Sequence, residues 1–387
     1  MTAYTDFAQQ LTRTDPALYD LPHPKVARVL GVMPILSSVV GETGLLILTD
    51  LFKDLTKPKG QIINEAAAIF PSVRKLEDLS STPDGRINVA GLQGFLCPLR
   101  FFVNEGRIFE VEKRLDELLV VTDIGSSAPI EYFRLPFRET YFHFGANAGG
   151  LRIYAKTVGT SVLLGCYVTE LNVIANTPET EPFKRWAGPN GALTCFEVTL
   201  VSRPIRTAAD HGFAFIRVYV GPEMEGMSVE EVLRLNFDIY EAEGASEASS
   251  AERAQIIQGV THLVKVLLQI NVEGTELRDE NEETALATRL KAVGSKKQAK
   301  LERRLERTYD HILISHDFTR THRSEGESGR TVRGHWRRGH FRHQPYGPGR
   351  TLTKLKWIYP VWVGEAPQDG ERTTKDYTIR ATDKPES

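Results

Sequence analysis

Hydrophobic and polar positions alternate with a period close to two along residues 130–220, in EYFRLPFRETYFHF, LRIYAKTVGTSVLLGCYVTELNVI, CFEVTLVSR and GFAFIRVYV. These runs are rich in β-branched and aromatic residues and are parted by Gly, Pro and Asn, so they predict an antiparallel sheet of roughly five strands. Upstream, the first hundred residues read as short helices broken by Pro and Gly. There the spacing of Ala67, Ile69, Val73 and Leu76 predicts an amphipathic helix over 64–79, and Pro83-Asp84-Gly85 predicts a turn. Downstream, Ser228 stands three residues before Glu231, a capping box that opens a helix running to about Tyr240. Residues 241–252 have linker composition. After them Ile256, Val260, Leu263, Val264, Leu267 and Ile270 share one face of a core helix. A polar, acidic loop around ELRDENEE (276–283), a Lys/Arg-rich helix over 286–309, a short strand at 312–314 and a Gly/Ser/Arg loop to residue 330 follow.

The fold class expected is α+β, with a helical N-terminal portion, a central antiparallel sheet, long helices and a C-terminal β-hairpin. The expected division is a mostly helical region at 1–125, a sheet-containing domain at 126–364 with the hairpin at 330–364, and a polar tail at 365–387. With 387 residues, 41% apolar and 25% charged, the chain has ordinary globular composition. The most apolar run, 26–48, is cut by Arg28, Ser37, Ser38, Gly41, Glu42 and Thr43, so no membrane partner is expected. The start, MTAYTDFAQQL, lacks the features of a secretory signal, and the expected location is the cytoplasm of a bacterial host cell. Cys97, Cys166 and Cys195 lie far apart between apolar neighbours and are assigned to core packing.

Charge changes this picture more than composition does. Residues 291–356 hold 17 Lys+Arg against 6 Asp+Glu, leaving 31 against 44 elsewhere, so a net charge of −2 conceals a basic C-terminal part. Such a segment faces RNA or an acidic neighbour, unless it is a solvated face. The densest chemistry is VRGHWRRGHFRHQPYGPGRTLTKLKWIYPVWVG (332–364), where His335, His340 and His343 sit among Arg333, Arg337, Arg338 and Arg342. The pattern predicts a strand to about Arg342, a turn at QPYGPGR and a second strand KLKWIYPVWVG, with Trp336, Trp357 and Trp362 packed on the sheet. Zinc is disfavoured because thiolates are absent from the cluster and His340 points away from His335 and His343 on a strand. No cofactor is expected. A metal-independent ribonuclease needs a base, an acid and a cation at one phosphate, which His335, His343, Arg337 and Tyr346 supply by residue type. The same residues suit RNA or peptide binding, so Arg333, His335, Trp336, Arg337, Arg338, His340, Arg342, His343, Tyr346 and Trp357 are the candidate binding set.

The run His335-Trp336-Arg337-Arg338-Gly339-His340-Phe341-Arg342, followed by Gln344-Pro345-Tyr346-Gly347 and by Trp357-Ile358 with Pro360, resembles the C-terminal signature of a phage- and plasmid-borne family. That family includes the type V-A anti-CRISPR that blocks biogenesis of the CRISPR effector nuclease. The resemblance implies a protein that binds the nascent N-terminal peptide of the effector at the translating ribosome and lowers its production, with RNA as a further partner. The alternative reading is an RNA-binding protein or metal-independent ribonuclease using the His/Arg cluster.

Overall fold

The computed structural model describes residues 23–29, 32–76, 89–124, 128–144, 151–155, 159–204, 212–242, 250–272, 274–305, 308–316 and 335–363. The turn expected at 83–85 and the loop at 317–330 lie outside them, as does the polar tail. Thirteen described strands run in chain order as β1 (Arg107–Val111), β2 (Thr122–Asp123), β3 (Glu139–His143), β4 (Arg152–Ala155), β5 (Gly159–Ile174), β6 (Ala192–Pro204), β7 (Gly212–Val220), β8 (Thr275–Glu280), β9 (His311–His316), β10 (His335–Arg337), β11 (Gly339–Tyr346), β12 (Leu352–Ile358) and β13 (Val361–Val363). The described α-helices are α1 (Pro24–Val29), α2 (Val32–Phe52), α3 (Lys59–Ile69), α4 (Val89–Val103), α5 (Lys113–Val120), α6 (Val229–Ala242), α7 (Ser250–Ile270), α8 (Glu282–Lys291) and α9 (Ser295–Leu305). The protein is α+β.

The five strands expected between residues 130 and 220 form as β3 to β7, but the sheet they belong to is larger. It has eight strands in the order β7-β6-β5-β3-β1-β9-β8, with β4 beside the start of β5. Two of its pairings are parallel, β1 with β3 and β1 with β9, so the sheet is mostly and not wholly antiparallel. Strand β8 is a correction: the acidic stretch expected as a loop is an edge strand paired with β9. Its run of charged residues, exposed from Glu276 to Asp279, carries no apolar alternation to betray it. The Lys/Arg-rich helix expected over 286–309 is two helices, α8 and α9, parted before Ser295. The helix expected over 64–79 instead starts at Lys59 and stops at Ile69. Pro71 forces Phe70 to φ −137°, ψ 95°, and a short 3-10 turn carries Val73 into the core.

Both sheet faces are covered, and successive residues point to opposite layers. Phe109, Phe142 and Cys166 face the main core with α5, α6 and α7, while Ile108, Tyr141 and Tyr167 face Cys97 and Phe101 of α4. The capping box forms as expected: Ser228 N–H donates to Glu231 Oε2 at 2.8 Å and Glu231 N–H to Ser228 Oγ at 3.2 Å. Val260, Leu263, Val264 and Leu267 of α7 are buried on its expected face, and Val266 and Leu268 are buried as well, so the helix is enclosed on more than one side. Each such side chain contributes about 1.5–3 kcal/mol.

Helix α2 is, by length and composition, long and apolar enough to cross a membrane. It is broken by a non-helical Gly41 (φ 80°, ψ 162°), and Val32, Leu36, Val40, Leu48 and Phe52 bury one face in a separate helical core with α3 and α4. An ionic junction joins that layer to the sheet. Glu197 of β6 is fully buried and meets Lys59 (3.2 Å), Arg100 (3.0 Å) and Arg217 (3.2 Å), and Arg217 also grips Glu179 at 2.6 Å. Burial alone would push the Glu197 carboxyl up, yet the three cations hold it at about 2. Nearby Glu139 accepts from Thr169 Oγ1 at 2.8 Å, and burial outweighs the cations there, raising it to about 7.

Those two carboxyls set opposite pH dependences. Glu197, held low, contributes stability that is present above pH 4.5 and lost as pH falls towards 2. Glu139, held high, contributes stability present below pH 4.5 and lost as pH rises through about 7. Glu139→Gln is therefore expected to raise the urea midpoint at pH 8 relative to that at pH 5, compared with the wild type. An unchanged ratio of midpoints would show that Glu139 ionises in the fold as it does in the unfolded chain.

Candidate functional site

The basic C-terminal segment folds as a two-part ribbon outside the main sheet. β10 pairs with β13 (Arg337↔Val361), the chain steps at Arg338, and β11 pairs with β12 from His340↔Ile358 to Tyr346↔Leu352. β11 also lies parallel to β2, with Gly339 opposite Thr122. A Cβ at Gly339 would fall 2.5 Å from Thr122 Oγ1 and 2.7 Å from Pro360 Cδ, so only glycine permits this approach. The hairpin expected from sequence is present. Its first strand runs on to Tyr346, and the reversal is made by Gly347 (φ 80°), Gly349 (φ 65°) and Arg350 (φ 55°).

The pleat sorts the candidate residues onto two faces. Inward go Phe341, His343, Leu355 and Trp357. Trp357 is 3% exposed, donates Nε1–H to Thr122 Oγ1 at 3.2 Å, and packs edge-on to His316 at 5.2 Å. His343 sits edge-on to Tyr132 at 6.2 Å. The opposite face, by register, carries His340, Arg342, Gln344 and Tyr346 on β11 and Leu352, Lys354, Lys356 and Ile358 on β12. Arg337 and Arg338 are exposed, Arg338 4.0 Å from Asp123, and Lys354 Nζ stands 5.2 Å over the Tyr346 ring. Arg333 and the side chains of His335, Trp336 and Trp362 lie outside the described residues.

This arrangement bears on the catalytic set. His343 and Tyr346 are three residues apart on one strand and so point to opposite faces. Trp357, a candidate contact residue, is placed as a core anchor. Among the described residues no group of three or more His, Cys, Asp or Glu is arranged to hold a metal ion.

A second feature was not legible in the sequence. Beside the edge strand β8, a cavity of about 670 Å³ is lined by Lys25, Arg28, Arg107, Asp279, Glu283, Tyr309 and His311, among others. Lys25 Nζ holds Glu283 at 2.6 Å, and Tyr309 donates to Glu110 at 2.9 Å. Behind Tyr309 lies His23, its ring 4.4 Å from Tyr309 and 5.1 Å from both Tyr141 and His143. Burial holds His23 well below its ordinary range, and its neighbours His143, His311, Lys25 and Arg28 act in the same direction. His23 Nδ1 accepts the Lys25 N–H at 3.1 Å, which fixes the start of α1 against the sheet. The residues come from segments up to 288 positions apart in sequence, so no local spacing announces them.

The profile of the AcrVA2-like family, described as Anti-CRISPR type V subtype A2, matches residues 109–365. The chain belongs to this family. Membership makes it an anti-CRISPR protein, with a CRISPR system as its target. The AcrVA2-like part opens within β1 and closes just past β13, so it takes in the eight-stranded sheet and the ribbon, whereas α1 to α4 precede it. A solved structure titled "Crystal structure of AcrVA2" is 13% identical over 88% of this chain and 99% of that one, with a TM-score of 0.40. No curated protein matches the sequence.

Proposed function

We propose that this anti-CRISPR protein binds the nascent N-terminal peptide of a type V-A CRISPR effector and lowers the effector's production, acting in the cytoplasm of the host cell. The family supports the target system. The observation that carries the mode of binding is the exposed edge strand β8 bordering the polar cavity. An edge strand offers main-chain donors and acceptors to any extended peptide, so an added strand gains affinity from backbone pairing and specificity from flanking pockets. Asp279 belongs to both the edge and the cavity, and Glu283 lines the cavity beside it. Glu283 is taken up by Lys25 and Arg28 and Glu280 by Arg278, so among the described residues Asp279 and Glu276 are the edge carboxylates left to favour a segment carrying positive charge.

The test is a peptide of about the first twenty residues of a type V-A effector against a scrambled peptide of equal composition, long enough to add one strand and its flanks. The native peptide is expected to bind at least tenfold more tightly. Asp279→Lys should weaken that binding about tenfold, equivalent to about 1.4 kcal/mol, without lowering the thermal midpoint of the free protein. Equal binding of native and scrambled peptides, or of neither, overturns the reading.

A further inference from the structure

The eight-stranded sheet ends in two edges of opposite character. β8 is guarded by charge, with Glu276, Arg278, Asp279 and Glu280 along it. β7 is not: among the described residues it pairs only with β6, and residues 212–216 (GFAFI) carry no charge. Backbone groups alternate in direction along a strand, and one contact with α6 fixes which of them face outward. Tyr219 N–H donates to Asn236 Oδ1 at 2.7 Å, and Asn236 Nδ2 donates to the Tyr219 carbonyl at 3.0 Å. The Asn236 amide stands in for a neighbouring strand at that residue and closes the edge there. By the same alternation the N–H and C=O of Phe213, Phe215 and Arg217 point away from β6, and no partner for them is found among the described residues. An apolar strand with open backbone groups is a template for another strand. Arg217, the one charge in the open stretch, does not guard it. Glu179 at 2.6 Å and Glu197 at 3.2 Å draw its guanidinium back, to 4.9 Å from the centroid of the Phe215 ring.

We propose that β7 pairs with the β7 of a second copy of this chain, antiparallel about a two-fold axis at Phe215, so that two sheets become one. That register alone gives all three open residues a partner. Phe215 meets Phe215 of the second copy and each Phe213 meets an Arg217, every facing pair exchanging two backbone bonds. Ring against ring and guanidinium against ring are favourable cross-strand contacts. Phe215 is 37% exposed and available, while Phe213 is seated on α4, where a Cβ at Gly94 would come within 3.3 Å of its ring. Association stops at two chains. Pairing uses both β7 edges and leaves an acidic β8 at each outer end, where like charges keep further copies away. The proposal does not depend on what β8 binds.

Sedimentation velocity of the full chain over a range of concentrations tests this. The mass is expected to rise from that of one chain to that of two and to go no higher. Phe215→Lys sets two ammonium groups opposite one another across the axis and should raise the dimer dissociation constant about tenfold or more. Leu277→Lys, at an exposed apolar position on β8, should leave it unchanged. Circular dichroism melts show whether each variant is folded. A second arm adds no charge: Phe215→Cys should be cross-linked to itself by a short bis-maleimide in the native protein, whereas Leu277→Cys should not, since Cys97, Cys166 and Cys195 are buried. A wild type that sediments as one chain throughout overturns the proposal. So does a dimer that Phe215→Lys leaves unweakened, or the absence of the Phe215→Cys cross-link. Should single chains bind the effector peptide and lose it in Phe215→Lys, the β7 edge is a peptide site and the proposal falls.

Discussion

Replacing Glu197 with alanine is expected to destabilise the protein by about 3–5 kcal/mol, because it strands two buried cations, Arg100 and Lys59, in the junction between the helical layer and the sheet. Arg100 is fully buried and Lys59 nearly so, and both use Glu197 as their carboxylate, while Arg217 retains Glu179. Glu197→Gln keeps the shape and one acceptor oxygen and should cost less. Arg100 also donates to the carbonyls of Lys57 at 2.8 Å and Asp54 at 3.3 Å, so losing its anchor should loosen the turn between α2 and α3 as well. Urea unfolding of the two variants measures both losses. An alanine variant within about 1 kcal/mol of the wild type would mean that solvent reaches the cations and the junction is not dry.

The second large effect is at Trp357. Trp357→Ala should cost about 3–5 kcal/mol, because the indole fills the space between Phe341, His316 and Tyr359 and its removal leaves a cavity. Trp357→Phe keeps much of the packing and loses the bond to Thr122, for about 1 kcal/mol. Hydrogen exchange locates the damage. In the alanine variant the amides of β11 and β12 should exchange much faster while those of β5 and β6 keep their protection. Uniform acceleration across all four strands would show that the ribbon and the sheet unfold as one unit. Truncation before Arg330 removes Phe341, Leu355 and Trp357 from the main core together and should give a protein that does not accumulate folded.

How legible this was in the sequence depended on whether a signal was local. The five central strands, the capping box at Ser228, the α7 stripe and the ribbon all rest on short-range periodicity or turn chemistry. Strand β8 escaped because an edge strand exposed on both sides has no apolar alternation, and its charges look like those of a loop. Glu197 escaped for a different reason. On β6 it alternates with buried Phe196 and Val198, which marks its face as solvent, and only the tertiary placement of α3 and α4 covers that face. The candidate site was half legible: the composition of the ribbon was visible, but the division of His343 and Trp357 from Arg342 and Lys356 needed the register. The cavity beside β8 draws on α1, β1, β8, α8 and β9, and only the folded chain assembles it.

The placement of β1 constrains how the chain can mature. Formed from residues 107–111, it lies between β3, which follows within about forty residues, and β9, which is synthesised some two hundred residues later. Until residue 316 has cleared the ribosome, one side of β1 has no neighbour, and the Trp357 bond to Thr122 must wait longer still. Closure by such distant segments is slow, and an unpaired central strand is prone to pair wrongly in the meantime. The molecule should therefore depend on chaperone protection during its own translation, and its yield should respond to elongation rate more steeply than that of a protein whose strands pair in the order they are made.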